Sequence, residues 1–309
     1  MAKRLRGWAL KKETGAADTA QSASSSGSQS PLATKLLSLW AHGKLSAVLI
    51  QELAHLALLD GATHPELAAL AKAGNYGEQP GNVHKAIVAT FCKKVDFQSH
   101  EVIVPCIDPK TSLEEETKTA IYLPHIMFWN MATAYEDQFA KLFSTEDLEK
   151  FWTSSESTGD DRLMGHPMKA RKDWRQKTVP LFLHGDGVEF QERDSLMVWS
   201  WGSVLSLFSS LDSHFLMSCF PKSCTATGTW EPVMKWLVWS FNALQKGRHP
   251  ELDPDGNPLE KDSPFFLVKG TQLAPGGFRG VLWSIQGDHE FFSNVLQLPH
   301  GNNRSLIRL

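Results

Sequence analysis

Apolar positions in this chain follow one rhythm up to about residue 92 and mixed rhythms after it. Between 31 and 92, Leu36, Leu37, Trp40, Leu45, Val48, Leu49, Leu53, Leu56 and Leu59 return at helical spacing. Ser46 is placed to cap a helix at its N-terminus, and Asp60-Gly61 to stop it. Thr63-His64-Pro65-Glu66 has capping-box spacing with proline in the first turn, which predicts a further short helix through Leu67, Leu70 and Ala71. Gly74–Gly81 is a turn-rich break, and Val83–Phe91 returns to helix. His55 falls on the apolar face and reads as a core histidine.

Beyond residue 92 the pattern is mixed. Val102-Ile103-Val104-Pro105 predicts a short strand, and Ile121–His125 another, followed by a helix over Ile126–Phe143. Ser144-Thr145-Glu146-Asp147 caps a helix through Leu148 and Phe151, and Thr153–Asp161 is a polar loop. Thr178–Leu183 is an apolar run that ends in His184-Gly185-Asp186-Gly187, the pattern of a buried strand carrying an acid to its C-terminal end. Val188-Glu189-Phe190 and Met197–Trp201 alternate like two more strands, making a three-strand meander. Trp230–Leu244 is the clearest helix, with Gly247 past its end. After a loop rich in Pro, Gly and Asp, the run Phe278–Ile285 leads into Gln286-Gly287-Asp288-His289-Glu290 and a final helical stretch through Phe291, Phe292, Val295 and Leu296.

Composition narrows the function classes. The 309 residues carry 31 Lys+Arg against 34 Asp+Glu, so the chain does not grip nucleic acid by bulk charge. No apolar run approaches the roughly 18–20 residues of a membrane span, and the start lacks a secretory signal pattern. Cys92, Cys106, Cys219 and Cys224 form no Cys-x-x-Cys pair, which supports neither a zinc knuckle nor a disulfide framework and fits a reducing, intracellular compartment. Lys3, Arg4, Arg6, Lys11 and Lys12 make a basic head, and Thr14–Ser30 has the composition of a disordered tail. Eleven Trp against three Tyr predict a folded body with wide aromatic contacts. Lys169, Arg171, Lys172, Arg175 and Lys177 form a basic segment, either a solvated face or a contact for a nucleic-acid backbone.

Asp186 and Asp288 end two apolar elements, as a two-metal phosphoryl-transfer site requires. Mg²⁺ or Mn²⁺ would suit such carboxylate oxygens. Each Asp alone also reads as a turn residue or helix cap. A mononuclear site from His184, Asp186, Asp288 and His289 is a second possibility for metal chemistry.

Residues 179–300 resemble the catalytic core of CACTA-type (En/Spm-like) DNA transposases and their relatives. The resemblance rests on Asp186-Gly187 after an apolar strand, Pro221-Lys222-Ser223, the amphipathic helix Trp230–Leu244, a long insertion, and Val281-Leu282-Trp283-Ser284-Ile285 ending near Asp288. It implies an α/β (mixed α+β) fold with an RNase H-like mixed sheet flanked by helices. It also implies Asp186 and Asp288 as catalytic residues, and DNA as partner. The expected metal ligands are Asp186, Asp288 and His289, holding a weak or vestigial Mg²⁺ or Mn²⁺; no small-molecule cofactor is expected, and DNA binding would place the chain in the nucleus. Family members continue into a Cys-x-x-Cys zinc segment and a third acid, whereas this chain has no Cys after Cys224. The expectation is therefore a truncated, inactive relative. The domains read as a tail (1–30), a helical unit (31–92), a mixed connecting region (93–178) and the RNase H-like core (179–309). Two rival classes remain: a non-catalytic module binding nucleic acid or protein, and an α/β hydrolase, for which Leu183-His184-Gly185 resembles an oxyanion turn but no Gly-x-Ser-x-Gly elbow exists.

Overall fold

The computed structural model describes residues 30–41, 43–91, 99–191 and 194–298; the basic head and nearly all of the expected tail lie outside them, as does Cys92. The chain divides into two compact units, one within 1–92 and one within 93–309.

The first unit is all helical: α1 (Pro31–Ala41), α2 (Ala47–Leu59), α3 (Pro65–Ala71), α4 (Ala73–Tyr76) and α5 (Pro80–Phe91). Ser46 caps α2 as expected, its Oγ accepting from Leu49 N–H at 3.1 Å. The cap of α3 is His64 rather than Thr63: Nδ1 accepts from Glu66 N–H at 3.3 Å, and the Glu66 carboxylate accepts from Ser30 N–H instead of closing the box. The core is Ala33, Leu36, Ile50, Ala54, Leu67, Leu70, Val83 and Ile87. On α2 the leucines that carried the periodicity, Leu49, Leu53, Leu56 and Leu59, point to the exposed side, and Ile50, Gln51 and Ala54 point inward. His55 is half-buried against Tyr76, and its buried Nδ1 has no partner.

The second unit begins with a hairpin, β1 (His100–Ile107) and β2 (Glu114–Ile121). Every second residue of β1 is buried from Val102 to Cys106. The strand expected at Ile121–His125 belongs instead to Glu114–Ile121, which is polar because most of it faces solvent. The expected single helix over 126–143 is two, α6 (Pro124–Ala134) and α7 (Glu136–Leu142), broken at Tyr135 (φ −137, ψ 55). Then follow α8 (Leu148–Ser157) and the short α9 (Trp174–Lys177).

Next comes the main sheet: β3 (Thr178–Gln191), β4 (Asp194–Ser203), the turn α10 (Ser210–Ser213), β5 (Phe215–Pro221), α11 (Trp230–Lys246) and β6 (Arg279–Gly287). The order is β5-β4-β3-β6, with β3, β4 and β5 antiparallel and β6 parallel to β3. Three antiparallel strands, a crossover helix and a fourth strand returning beside the first make the mixed, RNase H-like sheet that the resemblance implies. The meander differs in detail. The runs expected as separate strands at 178–183 and 188–190 are one strand, because Gly185 and Gly187 stay in the ladder opposite Trp199 and Met197. The third strand is Phe215–Pro221.

α11 covers one face of the sheet. Its Val233, Leu237 and Leu244 are buried with Leu181, Leu183, Met197, Trp199 and Trp201, and its first residue, Trp230, lies 5.2 Å from the Trp199 ring. Gly247 ends the helix in the left-handed conformation (φ 65), with its N–H donating to Ala243 O. Residues from 99 to 178 belong to the same core. The indole of Trp152 donates to Thr178 O at 2.7 Å and stacks edge-on to Trp283 at 4.9 Å. The region expected as a connector thus packs as part of the sheet's own unit.

Candidate acid site at the end of the parallel strands

The parallel ladder between β3 and β6 ends at the pair Gly185–Gly287, so the next residues along the chain are Asp186 and Asp288. The two expected acids thus follow the last paired glycines, but Asp288 is already past the end of β6. Asp186 does not end its strand, however: β3 continues to Gln191, and Asp186 stays paired with Val198. It ends only the parallel pairing.

The glycines explain the local sequence. A Cβ at Gly185 would run into the Phe291 ring, which also lies against Gly287, so this aromatic is seated where side chains would otherwise stand. A Cβ at Gly187 would meet Lys222 Nζ, with Asp288 Oδ2 at 3.9 Å from the same point. The Gly-Asp-Gly pattern thus makes room for a phenyl ring and an ammonium group.

Lys222 arrives from the short turn after β5 and pairs with Glu290 at 2.6 Å. The turn is anchored by Asp194, whose carboxylate accepts from Ser223 Oγ at 2.7 Å and from Ser223 N–H at 3.3 Å. The Ser223 hydroxyl holds the Asp194 carboxyl below its ordinary value, more than burial raises it. Asp288 is also committed in part: its Oδ1 accepts from Phe291 N–H at 2.7 Å, capping the π-helical turn Phe291–Val295.

The two acids point to different faces because Asp288 has left the strand and its Oδ2 turns to the Gly187 side. Successive strand residues point to opposite faces, so Asp186 shares a face with His184, while Gly187 opens toward Lys222 and Asp288 Oδ2. The expected mononuclear set is divided in the same way, with His184 and Asp186 on one face; His289 is exposed beyond β6. Among the described residues no group of three or more His, Cys, Asp or Glu is placed to hold a metal ion. A divalent cation at this end would find Asp186 and one oxygen of Asp288 as donors, with the Lys222 ammonium as competitor.

The basic segment lies elsewhere. Lys177 directly precedes β3, and nine residues of extended chain, about 30 Å, separate it from Asp186. Most of its charges are used internally. Lys169 and Arg175 both pair with Glu156, at 2.9 and 2.6 Å, and hold its carboxyl below the ordinary value. Arg171 donates to Lys246 O at 2.7 Å, and Lys177 sits 4.3 Å over the Phe278 ring. Lys172 is exposed.

On the Asp186 face, Ser200 Oγ lies 3.4 Å from His214 Nδ1, and the His184 ring is 5.5 Å from that of His214. Desolvation, helped by the charge of His184, lowers the His214 pKa. Sequence reasoning missed this group, because Ser200 and His214 become neighbours only through the strand pairing. Ser200 stands in the middle of β4, away from any strand-to-helix turn of the hydrolase kind. Compared with known proteins, the chain matches no family model, no curated protein and no solved structure.

Proposed function

We propose that the second unit is a transposase-related, RNase H-like core that binds divalent metal weakly and does not cleave DNA efficiently. One observation carries this reading: Asp186 and Asp288 follow immediately on the last pair of the parallel strands β3 and β6. Bound there, Mg²⁺ or Mn²⁺ would activate a water and neutralise charge on a transferring phosphate. Asp186 and Asp288 Oδ2 would hold it. The weakness follows from three features: the acids face different sides of the pleat, Asp288 spends one oxygen on a helix cap, and Lys222 already supplies positive charge. Misplacement of reacting groups by about 1 Å costs on the order of a hundredfold in rate. Work on DNA would put the chain in the nucleus.

The test is a Mn²⁺ titration followed by a DNA-nicking assay, with Asp186→Ala and Asp288→Ala as controls. Weak binding that either substitution abolishes, without nicking, is the expected result. Robust, Asp-dependent cleavage would show that the site is competent after all. Metal binding indifferent to both substitutions would remove the metal site altogether.

A second reading, a non-catalytic interaction module, draws on the first unit, where Leu49, Leu53, Leu56 and Leu59 leave an apolar stripe exposed on α2. A pull-down that depends on Leu53→Glu and Leu56→Glu, but on neither aspartate, would favour it.

A further inference from the structure

Away from the acid end, the second unit encloses two histidines whose ring nitrogens are largely unpaired. His125, the second residue of α6, is 0% exposed, and His249, two residues past the glycine that ends α11, is 2% exposed. Their ring centroids are 5.9 Å apart at an angle of 70°. His125 Nε2 and both ring nitrogens of His249 have no hydrogen-bond partner. Aromatic rings wall the pair: Trp239 lies edge-on to His125 at 5.0 Å, Trp129 edge-on to His249 at 5.1 Å, and Phe265 6.2 Å from His125. The Trp239 indole is already used, donating to Leu252 O. Such orphaned polar atoms in an apolar box are expensive, so a ligand that satisfies them is favoured.

We infer that His125 and His249 form a two-coordinate site for a soft monovalent cation of the Cu(I) class. The geometry supports this. Two imidazole nitrogens, each about 2 Å from an ion between them in line, put their ring centroids roughly 6 Å apart. A zinc site needs four ligands, and among the described residues no third His, Cys, Asp or Glu joins these two. Dry aromatic walls disfavour hard, strongly hydrated ions and suit a soft cation that takes few nitrogen ligands.

The outer contacts suit ligation as well. His125 Nδ1 is 2.7 Å from Ser240 Oγ, which also accepts from the His125 backbone N–H at 3.0 Å. With Nδ1–H donating to that oxygen, the buried Nε2 carries the free lone pair, in the manner of a ligand histidine held by an outer partner. His249 is fixed by its backbone, with N–H donating to Thr271 O at 2.9 Å and the carbonyl accepting from Gly270 N–H at 3.0 Å. Burial lowers the His249 pKa to about 4 and pushes His125 well below its ordinary value, so both rings are neutral, the ligating form, at neutral pH.

The test uses the full chain, ¹⁵N-labelled at histidine, reduced and free of oxygen, titrated with Ag(I) as a redox-inert substitute for Cu(I). The cysteine thiols also bind Ag(I), so the signals read are the imidazole nitrogens themselves. Shifts of one His125 and one His249 nitrogen that saturate with one equivalent beyond those the thiols take up are expected. In His249→Leu one equivalent of binding and the His125 shift should both disappear. Histidine signals that stay put in the wild type, as when a buried water alone bridges the rings, overturn the site. So does a His249→Leu chain that binds as many equivalents. Should that variant fail to fold, the wild-type shifts decide alone. No outcome depends on the acid site, because Asp186→Ala should leave these shifts unchanged.

Discussion

The acid end of the sheet and the His125–His249 chamber are opposite kinds of polar group. At the acid end the side chains are at least partly exposed and mostly partnered: Lys222 with Glu290, Asp288 with the Phe291 N–H, Asp194 with Ser223. In the chamber two imidazoles are closed off from water, and three of their four ring nitrogens have no partner. The acid end is conspicuous in the sequence as Gly-Asp-Gly and Gly-Asp, yet its glycines seat Phe291 and Lys222. The chamber is invisible in the sequence, since His125 and His249 are far apart and neither lies in a motif. A recognisable pattern can therefore be explained by packing, while an unremarkable pair of residues carries the unsatisfied chemistry.

The largest expected effect tests the packing explanation. Gly185→Val should destabilise the second unit by about 3 kcal/mol, because its side chain must enter the space of the Phe291 ring. Urea melts of Gly185→Val, Phe291→Ala and the double variant measure the coupling. The double variant should lose much less than the two single losses together. Full additivity would mean that Phe291 is not what the glycine accommodates.

Acid tests the chamber. His249 has a folded pKa of about 4, below the roughly 6.5 of an unfolded histidine, so the unfolded chain takes up protons first as pH falls. The stability tied to the neutral ring is fully present above pH 6.5 and is lost as pH drops toward 4, by roughly 3 kcal/mol for this one residue. Denaturant melts between pH 7 and 4 should show that slope, and His249→Leu should flatten it. An equal slope in the variant would place the acid sensitivity elsewhere.

Smaller effects separate the two aspartates. Asp288→Ala removes a helix cap and should cost about 1 kcal/mol, whereas the exposed Asp186→Ala should stay within about 0.5 kcal/mol of wild type. Equal losses in thermal melts would contradict the division of roles. Lys222→Met should change stability by less than about 1 kcal/mol, since its ion pair is partly exposed, but should tighten Mn²⁺ binding several-fold by removing the competing charge.

Much of this architecture is legible in the sequence where local signals are strong. The Ser46 cap and the long amphipathic face of α11 need no tertiary information. After residue 178 the first strand, the long helix and the strand that returns beside the first are readable as well, whereas Phe215–Pro221 is not. Where neighbours decide, the sequence is silent or misleading. β2 is a run of acids and threonines, because most of one hairpin strand faces water. The α2 leucines advertise a core face that the structure turns outward. Lys222 acquires its place beside Asp288 only through the turn that Asp194 anchors. Likewise the basic segment looks free in the sequence, but Glu156 and the Lys246 carbonyl lie within its reach in the fold.

The most direct test of the acid site is one Mn²⁺ titration, followed by electron paramagnetic resonance, of wild type, Asp186→Ala, Asp288→Ala and Lys222→Met. Weak wild-type binding, lost in both aspartate variants and strengthened in Lys222→Met, is the predicted pattern. Binding that is the same in all four proteins would contradict it.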